Sequence, residues 1–396
     1  MLLLRFLCLG LICLTLTACD VERPADTACA APSDVFGFLP LTVAQSTSET
    51  ATTDFFVESM LEAVRERPRG LVTVNVLSLS SGGQYGAFGA GFLRGWSENT
   101  RTPRPQFDLV TGVSAGGLLA PVAFAGPEFD PILDTYRGLA EADVYRQYHP
   151  LVIPFRSSVT STAPMAQLLR TQLTDDLIAR VAERHREDGA QLLVAAANLD
   201  TTENRVFNLG QVASAPGAVG SRRNCMTEIM LASAAVPGLF PPRNIDGDLY
   251  ADGGLRDHVF FRSVESARVE VARRTGRDLR VEATIIVNGA LTPPTTAVSD
   301  SLIGYFTRSA EILADEVLRD SIAEAVAFAE DRPGWRIKGV YSQVDLIAAG
   351  CDPDQASGTI DPCVTTALFD SGRALAAAAP IDWQNADELL EKAGEL

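Results

Sequence analysis

Histidine is nearly absent from this chain: three residues, His149, His185 and His258, in a sequence of 396. A histidine base therefore has only three possible sources, and a histidine-rich metal site has none. The cysteines show no Cys-x-x-Cys spacing and have no histidine near them, so no metal-ligand set is expected. There is no Gly-Lys-Ser or Gly-Lys-Thr ending to a phosphate loop, and the glycine turn after the first strand does not follow Gly-x-Gly-x-x-Gly. Nucleotide binding is thus not expected, and no cofactor is called for. Positive charge is also in deficit. A formal charge of −17 argues against nucleic acid as a partner and against electrostatic attraction to a strongly anionic lipid surface. The apolar stretch at the N-terminus carries Arg5 and ends at Leu16, too short to span a bilayer comfortably.

That stretch reads instead as a secretory signal. Its ending, Leu16-Thr17-Ala18-Cys19, resembles a bacterial lipobox, which implies removal of residues 1–18 and acylation of Cys19. Several acyl chains on one residue anchor a protein durably. The expected address is therefore the cell envelope, as an exported lipoprotein held to the inner or outer membrane. Cleavage leaves 378 residues and a charge of −18, because Arg5 is the only charge removed. Residues 19–52, rich in Pro, Ala, Ser and Thr, read as a tether. Residues 53–396 form the body, whose 46% hydrophobic and 21% charged content suits a packed core. Beyond Cys8, Cys13 and Cys19, four cysteines remain: Cys29, Cys225, Cys351 and Cys363. An even number in an exported chain suggests disulfides. Cys351 and Cys363 bracket a polar loop that a local bridge would staple, leaving Cys29 for Cys225.

Strand and helix patterns alternate along the body. Val72–Leu79, Gln191–Asn198, 281–288 and Trp335–Tyr341 read as strands by β-branched content and apolar runs. Helical patterns cover 87–96, 161–187, 262–275 and 301–330. The alternation predicts one α/β domain, a three-layer sandwich with a parallel-rich central sheet covered on both faces. Arg184-His185-Arg186 reads as a solvated helix end. Ile303, Phe306, Ile312, Leu313 and Val317 read as core packing. Residues 127–164, with Tyr136, Tyr145 and Tyr148, read either as a cover for a site or as a peripheral connection.

The chemistry gathers around Ser114. It lies in Gly112-x-Ser114-x-Gly116, between a strand-like run and a helix-like run. A serine on a sharp strand-to-helix turn has its hydroxyl lifted clear of the backbone, with glycines leaving room for approach. Acyl transfer also needs a proton acceptor and donors for an oxyanion. The turn Ser81-Gly82-Gly83-Gln84-Tyr85-Gly86 can offer converging N–H groups. For the acceptor two candidates stand: His258, which has the chain order of a Ser–acid–His triad, and Asp252, in a tight Asp-Gly-Gly turn.

Taken together, Ser80 to Gly86, Gly112 to Gly116, Ala232-Ser-Ala-Ala-Val-Pro-Gly-Leu-Phe-Pro-Pro242, Asp252-Gly-Gly254 and Asn198-Leu-Asp-Thr201 resemble the patatin-like phospholipase family over roughly residues 72–345. The resemblance implies a serine acyl hydrolase that cleaves carboxylic esters of lipids through an acyl-enzyme. It implies Ser114 as nucleophile and Asp252 as proton acceptor without a histidine, and an oxyanion hole from Gly82 and Gly83. Gly86, Gly112, Gly116, Pro237, Gly253 and Gly254 complete the motifs. The body then becomes a catalytic domain with a C-terminal helical and cysteine-loop extension. Two positions depart from the family pattern: Ser81 stands where its turn has glycine, and Tyr85 where it has arginine. Asp252 would need burial to raise its proton affinity, with Phe260 and Phe261 near it in sequence. The alternatives are a triad through His258 and a non-catalytic binding lipoprotein of the envelope.

Overall fold

A computed structural model describes residues 23–29, 36–37, parts of 57–65, and 72–394 except 290, 292–297, 299, 301 and 352–359. The signal segment and Cys19 lie outside the described residues, as does most of the expected tether. Strands β1 (Asp26–Thr27), β2 (Phe36–Gly37), β3 (Val72–Leu79), β4 (Leu109–Val113), β5 (Gln191–Asn198), β6 (Asn204–Asn208), β7 (Arg243–Ile245), β8 (Asp248–Asp252), β9 (Leu279–Val287) and β10 (Trp335–Tyr341) form one mixed sheet. Its main path runs β1-β7-β8-β5-β4-β3-β9-β10, with β6 pairing β5 and β2 pairing β6. The pairs β5–β4, β4–β3, β3–β9 and β9–β10 are parallel. Those that β8 makes with β5 and β7 are antiparallel.

Helices cover both faces of this sheet. They are α1 (Gly86–Glu98), α2 (Ala115–Ala125), α3 (Ala163–Gln172), α4 (Asp175–Glu187), α5 (Val219–Ser233), α6 (Ser263–Thr275), α7 (Leu302–Glu330), α8 (Pro362–Ala377) and α9 (Ala386–Gly394). The two-residue period of a strand sends alternate side chains to opposite faces, and β5 shows the division. Leu192, Val194 and Ala196 join the core beneath α1, α2, α4, α5 and α8. Leu193 and Ala195 join the core beneath α6, α7 and α9. Every residue of β5 is buried, which accounts for its unbroken apolar run. Helix α2 is apolar on all sides, and ten of its eleven residues are buried, because it runs under the outer helices.

Four local features depart from the sequence pattern. The single helix expected over 161–187 is two, because Thr174 turns its hydroxyl to the Leu177 N–H at 3.2 Å and starts α4 afresh. Arg184 and His185 are buried rather than solvated. Arg184 reaches the carbonyls of Phe124 and Phe107, and His185 Nδ1 lies 3.2 Å from the Ala190 carbonyl. In α7, Ile312 and Leu313 stand 55% and 68% exposed, and the core face is formed further on by Leu318, Ile322, Ala325 and Val326. Finally, residues 23–29 lie along the sheet edge. β1 pairs β7 in parallel register, and the Cys29 N–H donates to Asp246 at 2.9 Å.

Two disulfides are present among the described residues, Cys29–Cys225 and Cys351–Cys363, with Cα separations of 5.3 and 5.6 Å. The first closes a sequence separation of 196 residues, so breaking it frees a long loop in the unfolded chain. Replacing Cys29 and Cys225 together by serine is expected to lower stability by about 2–5 kcal/mol. Denaturant unfolding of this pair against the parent protein measures that loss, with the Cys351 and Cys363 pair expected to cost less.

Candidate active site

The turn between β4 and α2 is a single residue. Ser114 adopts φ +50° and ψ −122°, a conformation that costs an L-residue roughly 1–3 kcal/mol. The surroundings hold it there. Its N–H donates to Ser233 Oγ at 2.9 Å, and Ser233 donates onward to the Ala195 carbonyl at 2.6 Å. The Ser114 carbonyl accepts from the Leu118 N–H at 3.1 Å, opening α2. Glycine at 116 is obligatory, since a Cβ there would lie 2.1 Å from the Leu79 carbonyl oxygen. One at Gly112 would lie 2.6 Å from the carbonyl oxygen of Gly116. Elbow and sheet therefore pack backbone to backbone. Ser233 has no role assigned from sequence, although it sits inside the Ala232 to Pro242 motif. Its small apolar neighbours on a helix give no sign that its hydroxyl ties the elbow to β5.

Asp252 reaches Ser114 from the opposite direction. β4 runs parallel to β5 as far as the Val113–Ala195 pair, and β8 runs antiparallel to it as far as Asp252–Ala196. β6 occupies the other edge of β5 over Leu193 to Ala197, so β4 and β8 share one edge and their ends meet. Asn198 aligns the join: its side chain donates to Asp248 at 3.0 Å and accepts the N–H groups of Asp200 and Thr201. Ser114 Oγ then donates to Asp252 Oδ2 at 2.7 Å, and the Gly254 N–H donates to Oδ1 at 2.8 Å. The Asp252 N–H donates to the Ala235 carbonyl at 2.9 Å, which fixes the Pro237 segment beside it. Burial pushes the Asp252 carboxyl from its ordinary 3.8 up to about 6, against the pull of its bonds to Ser114 and Gly254. Phe260 and Phe261 belong to the core under α6 and α7, where Phe261 stacks on Trp335 at 5.5 Å between ring centres.

The glycine turn follows β3 directly. Gly82 and Gly83 both have positive φ, +156° and +55°, and they lead through a 3-10 turn, Gly83–Tyr85, into α1. A Cβ on Gly82 would collide with the Asn288 carbonyl oxygen, and one on Gly86 would lie 2.9 Å from Ala115 Cβ. The turn thus lies against the elbow. Tyr85 is half-buried, and burial together with Asp315 pushes its phenol up. His258 does not join Ser114; its Nδ1 is hydrogen-bonded to Ser81 Oγ, and burial pushes its imidazole down to about 4. His149 is exposed in its loop and His185 lies in α4. Of residues 127–164, Tyr145 packs its ring on Phe240 of the Pro-rich segment at 5.5 Å. Thr160 Oγ1 donates to the Leu239 carbonyl at 2.5 Å. Among the described residues, no three His, Cys, Asp or Glu side chains gather as a metal-binding group. No described helix is long and apolar enough to cross a membrane.

A mixed, mostly parallel sheet flanked by helices, with its serine on a strand-to-helix elbow, is consistent with the α/β patatin-like fold. Residues 77–264 match the family described as patatin-like phospholipase, a span that contains Ser114, Asp252 and both glycine turns. A similar protein is the "cGAMP-activated phospholipase" of Pseudomonas aeruginosa (strain BWHPSA011 / Pa011), 29% identical over 196 residues, covering 47% of this chain and 54% of the relative. The chain therefore spans about half the length of that curated relative.

The buried carboxyl also sets a stability signature. With its folded value near 6 against 3.8, Asp252 holds a proton in the folded state that the unfolded chain has already released between those values. Its contribution is most favourable below 3.8 and is lost as pH rises to 6. Asp252→Asn, which removes the charge and keeps the shape, is expected to raise stability by about 1–3 kcal/mol at pH 8 and by little at pH 4. Unfolding curves at the two pH values test this; a variant equally or less stable at pH 8 would contradict it.

Proposed function

We propose that the protein is a serine acyl hydrolase that cleaves carboxylic esters of lipids through Ser114 and Asp252. The observation that carries this reading is the 2.7 Å hydrogen bond from Ser114 Oγ to a carboxyl pushed up to about 6. An ordinary carboxylate is a weak base for a serine hydroxyl, and raising its proton affinity toward neutrality makes it a better one. Ser114 Oγ attacks the ester carbonyl carbon while its proton passes to Asp252. The N–H groups of Gly82 and Gly83 receive the oxyanion, helped by the positive end of α1. The intermediate collapses, the bond to the alcohol breaks, and Asp252 returns its proton to the departing oxygen. Water then attacks the acyl-enzyme, gives a proton to Asp252, and the acid leaves as Ser114 is reprotonated. Asp252 ends each half-reaction unprotonated, and Ser114 is free again after the second.

The family match over 77–264 and the phospholipase relative support lipid as the substrate class. We further propose an exported lipoprotein, held to the cell envelope by an acylated Cys19. The disulfides Cys29–Cys225 and Cys351–Cys363 suit an oxidising compartment, and the anchor would hold the site beside its substrate. The His258 triad is less favoured, because His258 faces Ser81 rather than Ser114.

Hydrolysis of short- and long-chain esters by the purified protein tests the assignment. Ser114→Ala is expected to lower kcat by about 10^4- to 10^6-fold and Asp252→Asn by about 10^3- to 10^4-fold. Retained activity in Ser114→Ala would remove the reading. For the parent protein, kcat/KM is expected to rise with pH as Asp252 ionises, with a midpoint near 6. A midpoint near 4 would assign the base to His258 instead.

A further inference from the structure

Ser81 and His258 are two polar groups of this region that the dyad chemistry leaves unused. They are 177 residues apart in sequence and share a hydrogen bond between Ser81 Oγ and His258 Nδ1. Both are buried, 7% and 2% exposed, so water cannot replace either partner cheaply. His258 Nε2 is buried on the side of the ring that faces the Gly254 backbone. The ring lies against Gly254, where a Cβ would come within 3.0 Å of Cε1.

Each end of this bond belongs to one half of the site. Ser81 immediately precedes Gly82 and Gly83. The turn is pinned on its other flank by Asn288, whose N–H donates to Ser80 Oγ and whose Nδ2 donates to the Ser80 carbonyl, both at 2.8 Å. His258 closes the turn that begins at Asp252. The N–H groups of Arg256 and Asp257 both donate to the Gly253 carbonyl, and the Gly254 N–H donates to Asp252. The His258 N–H donates to Ser321 Oγ of α7 at 3.1 Å, so the ring projects from a fixed backbone. A glycine at 81 would have no side chain to receive it.

We infer that His258 is a positioning residue: through Ser81 it fixes the glycine turn 82–83 relative to the turn that carries Asp252. Oxyanion donors work because they are held in place before the charge develops. A donor turn free to drift by a fraction of an ångström weakens the transition state while leaving substrate binding nearly untouched. Burial also keeps the imidazole neutral through the range in which Asp252 ionises, so His258 holds the turn without changing charge there. The inference rests on the Ser114–Asp252 reading and can fail separately from it.

The test is a double-mutant cycle on ester hydrolysis with the full-length protein. His258→Ala and Ser81→Ala are each expected to lower kcat by roughly 10- to 100-fold with KM within about threefold. The double variant should be no worse than the weaker single, because both remove the same bond. His258→Asn should recover most of the loss, since its amide places a polar atom where Nδ1 stood. His258→Gln, isosteric at Nε2, should not. The midpoint of kcat/KM near 6 should persist in His258→Ala. Full activity in both single variants, additive losses, or His258→Asn as impaired as His258→Ala would each overturn the inference while leaving the dyad intact. Activity surviving in Ser114→Ala would overturn both. If His258→Ala does not fold, Ser81→Ala and Ser81→Gly make the same test from the other end of the bond.

Discussion

The C-terminal ends of β4 and β8 meet head-on along one edge of β5, at Ala195 and Ala196. Strand β4 arrives parallel to β5 and β8 arrives antiparallel, so each delivers its last residue to the same point from opposite sides. Ser114 and Asp252, 138 residues apart in sequence, become neighbours for this reason alone. The backbone hydrogen bonds of β5 set the separation of the two side chains far more rigidly than loops could. Ser233 reinforces the join, bonding Ser114 with one side of its hydroxyl and Ala195 with the other.

Two features of this junction oppose folding. Ser114 is held at positive φ, and Asp252 is buried with a proton affinity raised by desolvation. Both are tolerated because the elements around them are overdetermined: a fully buried central strand, an all-apolar α2, and helices packed on both faces. Strain and buried charge of this kind concentrate where function requires them. The same burial that costs stability at neutral pH raises the proton affinity of the carboxyl beside Ser114.

Much of the architecture is legible in the sequence because the apolar pattern of a fully covered sheet is strong. Val72–Leu79, Gln191–Asn198 and Trp335–Tyr341 are strands over the residues that their composition predicts. The elements that escape are those whose signals depend on neighbours. Strand β7 is three residues long and is held by its pairing with β8 and β1. His185 sits in a charged run yet faces inward, because the carbonyls of Phe124 and Phe107 give Arg184 beside it a buried partner. Ile312 and Leu313 carry a core-like pattern and stand exposed, while Leu318, Ile322, Ala325 and Val326 further along α7 are buried.

For the site itself, the division is sharper. The Gly112-x-Ser114-x-Gly116 spacing, the glycine turn and the Asp-Gly-Gly turn are local chemistry. Residue type and short-range backbone geometry decide them, so the sequence alone could propose Ser114 and offer Asp252 and His258 as its partners. Which of those two lies beside the serine is a question of distance between segments far apart in the chain. Only the register of β4 and β8 on β5 answers it, turning Asp252 to Ser114 and leaving His258 to Ser81. The raised proton affinity of Asp252 belongs to the tertiary structure too, because desolvation depends on what surrounds a carboxyl and not on what flanks it in sequence.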